Sequence, residues 1–92
     1  MFGFKAKTPL TPDTLREAAQ AQGFDEVGNS IWFGNTTSEA VVQVRVGDEW
    51  FNLLADSTGV AIYDAEACEP IGSTCTGPWD EAIVAAGERL TA

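Results

Sequence analysis

The sequence predicts an α+β domain: an antiparallel β-meander of three to four strands, packed with an N-terminal and a C-terminal helix in the order α-β-β-β-β-α. Three observations carry this. Runs rich in β-branched and aromatic residues follow one another between positions 41 and 64, separated by short Gly/Asp turn signals. A segment with helical spacing precedes them, opened by Thr11-Pro12. A second such segment follows them, opened by Pro78.

The chain begins with Phe2, Phe4 and Ala6 alternating with Lys5 and Lys7. This pattern is expected to form an edge strand whose lysines face out and block edge-to-edge aggregation. The first helix is expected over 12–22. Thr11 is a favourable N-cap and Pro12 occupies the first helical position, where its missing N–H costs nothing. Asp13 lies in the first turn, on the side that the helix dipole favours. Leu10 and Leu15 flank the cap as a hydrophobic staple. Leu15, Ala18, Ala19 and Gln22 continue the helical spacing, and Gly23 supplies the stop.

A strand-like piece is expected over 30–33, opened by a turn at Gly28-Asn29. After a polar loop, residues 41–46 alternate Gln43 and Arg45 with Val42, Val44 and Val46, the period of a strand. Gly47-Asp48 is a two-residue hairpin turn, and residues 50–54 form the returning strand. Residues 56–59 turn the chain again into a strand over 60–64. This register puts Val46 opposite Glu49, Arg45 opposite Trp50, Val44 opposite Phe51 and Val42 opposite Leu53. Ala55 then pairs Val60, and Leu53 pairs Ile62. One face thus carries Val42, Val44, Val46, Phe51, Leu53, Val60 and Ile62, and the first helix should cover it. The other carries Val41, Gln43, Arg45, Trp50, Asn52, Leu54, Ala61 and Tyr63. It is too polar for a core and too aromatic for an indifferent surface. Either it is exposed as a binding face or the C-terminal helix covers it.

Residues 65–77 lack periodicity and read as a long loop. The second helix is expected over about 78–90. Thr76 or Gly77 would cap it, Asp80 and Glu81 lie in its first turn and Arg89 in its last, both favourable to the dipole. Trp79, Ile83, Ala86 and Leu90 form its apolar stripe.

At 92 residues the chain is expected to be a single domain, 1–92, near the lower end of the size range for independent folding. Its net charge of −9 exceeds what solubility usually requires, which is within about 2 to 8 charges of zero. Between Arg45 and Arg89 there are nine carboxylates and no basic residue. Such a field repels phosphate backbones and anionic lipid and attracts basic proteins. Direct nucleic-acid binding and membrane association are therefore not expected. Residues 1–8 show no apolar signal region, and the cytoplasm is the expected compartment.

No histidine is present, so the usual acid–base group at neutral pH is missing. No serine or cysteine has a base to activate it, and no glycine-rich phosphate loop occurs. The chain is not expected to be an enzyme or to carry a cofactor. Cys68 and Cys75 are expected to be free thiols in a reducing compartment; if oxidised they would close a short loop worth about 2.5 kcal/mol. Asp64, Glu66, Glu69, Asp80 and Glu81 are conceivable oxygen ligands for a hard cation. Their spacing fits no calcium loop, and they read as a solvated acidic segment, so no metal is expected.

The candidate partner-binding residues are therefore Arg45, Asp48, Glu49, Trp50, Tyr63, Asp64, Glu66, Glu69, Asp80 and Glu81. Trp, Tyr and Arg dominate interface hot spots, and the facing Arg45–Trp50 pair is positioned to stack. The expected function is a non-enzymatic binding module or inhibitor. Its acidic surface would dock on a basic, nucleic-acid-binding surface of a partner protein, the carboxylates standing in for phosphates. In size, acidity and lack of catalytic apparatus the chain resembles anti-CRISPR and DNA-mimic antirestriction proteins, and small acidic immunity proteins. The resemblance is one of type and transfers no residues. Neutralising Asp64, Glu66, Glu69 and Asp80 is expected to slow association and flatten its salt dependence. The alternative is an adaptor, loosely similar to the small acidic secretion chaperones, that binds through its exposed sheet face. A monomer or a homodimer is compatible with either.

Overall fold

Two-residue turns dictate the sheet. The computed structural model describes residues 5–92. In it β2 (Ala40–Val46) returns through Gly47-Asp48 as β3 (Glu49–Asp56), and β3 through Ser57-Thr58 as β4 (Gly59–Asp64). Gly47 takes a positive φ of 61°, which glycine adopts without steric cost. Asp56 Oδ1 accepts both the N–H and the hydroxyl of Thr58, stabilising the second turn. The pairing follows the predicted register at every position named above.

Two further strands complete a five-stranded antiparallel sheet. β1 (Glu26–Trp32) flanks β2, and the two-residue β5 (Cys75–Thr76) flanks β4, giving the order β1-β2-β3-β4-β5. β1 begins four residues earlier than expected. Gly28-Asn29 is not a turn but the irregularity in the β1–β2 ladder, where the register shifts between Val27 and Ser30. Glycine inside a strand often marks such a bulge. Arg16 stabilises it from outside: its Nε donates to the Gly28 carbonyl (2.8 Å) and Nη2 to that of Val27 (3.4 Å).

The helices are α1 (Pro12–Gln20) and α2 (Trp79–Thr91). Thr11 is the N-cap of α1 and exchanges bonds with Thr14 in a capping box. α1 stops two residues short of expectation, in a tightened last turn where Ala21 and Gln22 donate to Ala18 and Ala19. α2 begins after Pro78, with no side-chain cap; neither Thr76 nor Gly77 caps it. Within the described residues the expected N-terminal edge strand is not seen: Lys5, Ala6 and Lys7 lie outside any strand. Phe2 and Phe4 fall outside the described residues.

Both helices pack on the same side of the sheet. Leu15 and Ala19 of α1 and Trp79, Ala82, Ile83 and Ala86 of α2 share one core with Val42, Val44, Phe51, Leu53, Ala55, Val60 and Ile62. Full burial of a Leu or Ile in such a core contributes about 1.5–3 kcal/mol. Gly87 of α2 lies against the chain just past the end of α1, where a Cβ would lie 2.8 Å from the Gln22 Cβ. The alternative in which α2 covers the other sheet face is therefore excluded. That face carries Gln43 and Asn52, whose polar groups a helix could not bury without supplying partners.

A candidate partner-binding face

With both helices on one side, the opposite side of the sheet is left uncovered. None of Val41, Gln43, Arg45, Trp50, Asn52, Leu54, Ala61 and Tyr63 is fully buried. The pairings arrange this face in rows across the strands. Ile31, Val41, Leu54 and Ala61 form an apolar row. Gln43, Asn52 and Tyr63 form the next. Glu26, Arg45 and Trp50 form the third. Successive rows stand two residues apart along the strands, about 6.6 Å.

At the apolar end lies an open groove of about 390 Å³ lined by Phe33, Val41, Asn52, Leu54, Tyr63 and Cys68. Its rim is unusually bare for apolar side chains: Ile31 is 60% and Phe33 49% exposed. Cys68 reaches the groove because the segment after β4 folds back sharply. The N–H groups of Glu66 and Ala67 donate to Asp64 Oδ1, both at 2.8 Å, and that of Cys68 to the Asp64 carbonyl. Cys68 itself takes a left-handed φ of 59°. Both cysteines are free. Cys75 is buried on the core side, paired with Val60, while Cys68 is exposed at the groove on the opposite face.

At the other end of β3, Asp48, Glu49, Trp50, Asp64 and Glu66 line a small notch of about 170 Å³, with Glu49 set opposite Val46 and Asp64 opposite Phe51, on the helix side of the sheet. The ring of Trp50 lies over Gly28 of β1, where the missing side chain leaves room for it. Among the described residues the one ion pair is Arg45–Glu26, at 3.3 Å. Exposed pairs of this kind contribute about 0.2–1 kcal/mol. Arg45 thus turns towards β1 and also donates to the Gly47 carbonyl at 2.6 Å. Arg45 and Trp50 face each other in register, the guanidinium bonding to Glu26 and Gly47, and among the described residues no ion pair reaches the acidic residues of the notch. Arg89 is likewise occupied, donating to the carbonyls of Ile71 and Ser73 and so tying the 65–77 segment to α2.

The remaining predicted residues do not join this site. Asp80 accepts the backbone N–H groups of Lys7 (3.0 Å) and Thr8 (3.3 Å), and the Trp79 indole donates to the Thr8 carbonyl (2.8 Å). Asp80 therefore anchors the N-terminal segment. The neighbouring Trp79 lines a common hollow with Asp56 and Ser57 of the β3–β4 turn, which puts the start of α2 at that end of the sheet. β3 spans eight residues, so that end lies about 23 Å from the notch. Glu69 is exposed, and its carbonyl accepts the Asp64 N–H. The cation-ligand set Asp64, Glu66, Glu69, Asp80 and Glu81 is thus split between two ends of the sheet. Among the described residues no three acidic or thiol groups converge as metal ligands. Nor is any helix among them long and apolar enough to cross a membrane. The groove residues Phe33, Val41, Leu54 and Cys68 went unpredicted as site residues. The available signal was the β3 alternation Trp50, Asn52, Leu54, which continues the binding face past Trp50.

Comparison of the chain with protein-family models, with curated proteins and with solved structures gave no match.

Proposed function

We propose that this chain is a non-enzymatic protein-binding module that docks on a basic surface of a partner protein. The observation that carries the reading is the notch: four acidic residues line it with Trp50, and among the described residues none of them is in an ion pair. Unneutralised like charges held together repel one another, and a partner that supplies lysine or arginine relieves that repulsion. Trp50, which also lines the notch, is of the residue type that concentrates binding energy. Where the basic surface is one that holds nucleic acid, occupation by these carboxylates blocks it, and the module acts as an inhibitor. The nine carboxylates do not form one long phosphate-like ridge, so the contact is local rather than a trace of a whole duplex.

The test is affinity capture from a lysate of the source cell with the wild type and with D48N/E49Q/E66Q side by side, at low and raised salt. Asp64 is left intact because it also holds the turn that follows it. The expected result is a partner that salt releases from the wild type and that the variant fails to retain. A partner held equally by both proteins refutes the charge-based reading.

A second reading, an adaptor that binds through its sheet, has its own support in the uncovered face and the exposed Ile31 and Phe33. Retention at high salt together with loss on L54D would favour it.

A further inference from the structure

We infer that the outer edge of β1 is a self-association surface: a second copy of this chain pairs its β1 there, antiparallel, and joins the two sheets into one. The direction of the β1 hydrogen bonds, the guarding of the sheet edges and the distribution of charge carry this, independently of the acidic notch.

The Phe33 N–H donates to the Glu39 carbonyl, so these two form a bonded pair that continues the β1–β2 ladder. Bonded and non-bonded pairs alternate along an antiparallel ladder. Ile31 is therefore bonded to Val41, while Ser30, opposite Val42, and Trp32, opposite Ala40, turn their N–H and C=O groups away from β2. β1 is the end strand, and among the described residues no other strand flanks it on that side.

The rest of the sheet boundary is guarded. The register shift between Val27 and Ser30 breaks the start of β1, and Arg16 occupies the carbonyls of Val27 and Gly28. At the opposite edge β5 has only two residues, too short to template another strand. Bulges, charges and short strands are the usual means of preventing edge pairing. Past the bulge, residues 30–33 have none of these; there the exposed Ile31 and Phe33 stand beside the outward backbone groups.

Charge and symmetry choose the occupant. Residues 27–38 contain no charged side chain, in a chain of net charge −9. An uncharged apolar edge matches an uncharged apolar strand, and along this stretch two such copies meet with the least repulsion. The edge is also self-complementary. A two-fold axis at Ile31 sets Ser30 of each copy opposite Trp32 of the other, so the outward N–H and C=O groups of both are satisfied. The two Ile31 side chains then meet as a non-bonded pair, where side chains approach closest, with a Phe33 on either side. A seam of so few residues buries less than the roughly 1,200 Å² of a stable interface, so the dimer forms only as concentration rises.

The experiment follows the full chain from about 10 μM to about 1 mM by sedimentation velocity, with amide hydrogen exchange read residue by residue at both limits. Wild type is expected to pass from monomer to dimer, and the Ser30 and Trp32 amides to exchange about fivefold more slowly at the upper limit. Ile31→Lys places a charge at the centre of the seam and should keep the chain monomeric throughout. Ser30→Pro removes one outward N–H and leaves the β1–β2 ladder intact, and should weaken the dimer likewise. Val84→Lys, at the exposed apolar position of α2, should dimerise as wild type does. Circular dichroism verifies the fold of each variant. A wild type that stays monomeric overturns the inference. So does a dimer in which the Ser30 and Trp32 amides exchange as in the monomer, since it would be joined through another surface. Slow exchange of both amides at every concentration also overturns it, because the edge would then be covered within one chain.

Discussion

Gly59→Ala tests how the groove and the notch are built. Gly59 opens β4 with a positive φ of 149°, and it pairs with Thr76 of β5. A Cβ there would run into the Cys75 backbone carbonyl at less than any real contact distance. Two costs add. Holding a non-glycine residue in this backbone region costs about 1–3 kcal/mol. Forcing β5 away from β4 to admit the methyl costs about another 1–3 kcal/mol, as overpacking does elsewhere. A loss of about 3–4 kcal/mol is expected against a total near 5–14 kcal/mol for a chain of this length. The melting temperature should fall by about 12 °C or more, since 1 kcal/mol corresponds to roughly 4–8 °C at this size. Urea unfolding followed by circular dichroism gives the free energy, and a thermal scan the midpoint. The displacement of β5 should also loosen the preceding segment, which carries Glu66 and Cys68. A loss below 1 kcal/mol would refute the reasoning, because it would mean that β5 does not pack against Gly59.

Three other outcomes follow from the same geometry. Cys68 should react with a thiol reagent in the native state while Cys75 reacts only on unfolding; equal reaction of both, or an oxidised pair, would contradict their placement on opposite faces. Asp80→Ala should cost about 1 kcal/mol, since it frees the Lys7 and Thr8 amides but relieves the buried, unpaired Asp80 Oδ1. Hydrogen exchange at Lys7 and Thr8 should rise while partner capture stays unchanged, and a capture defect would mean that Asp80 belongs to the site. Neutralisation by D48N/E49Q/E66Q should raise the melting temperature at low salt and leave it unchanged in 0.5 M salt, where repulsion is screened within about 4 Å; a fall at low salt would argue that these carboxylates are not mutually repelling.

Much of this face was legible in the primary structure, for a local reason. A two-residue turn fixes register, and register with period two assigns every side chain to a face. Gly47-Asp48 therefore placed Arg45 opposite Trp50, and Leu53 opposite Val42, without any knowledge of the third dimension. The capping pair Thr11-Pro12 and the apolar spacing from Leu15 did the same for the first helix. Local signals also misled where one residue type serves two ends. Gly28-Asn29 reads as a turn, yet the same glycine tolerates a bulge and leaves room for the Trp50 ring. The two-residue β5 has too few positions to show any period.

Composition, turn chemistry and periodicity determined by themselves the α+β order, the strand register, the apolar set that fills the core and the negative sign of the surface, because each depends on neighbours in the chain. Only the tertiary structure decided which face stayed open and which carboxylates met. The stripe on α2 is apolar enough to cover either side of the sheet; it joins α1 on the side that presents Val42, Val44, Leu53, Val60 and Ile62, whereas the other presents the amides of Gln43 and Asn52. Asp64 and Glu66 line the same notch as Asp48 and Glu49 because β4 ends beside the start of β3, while Asp80 binds the N-terminal segment at the far end. Those contacts join residues fifteen or more apart in the chain, and no local pattern encodes which of them close.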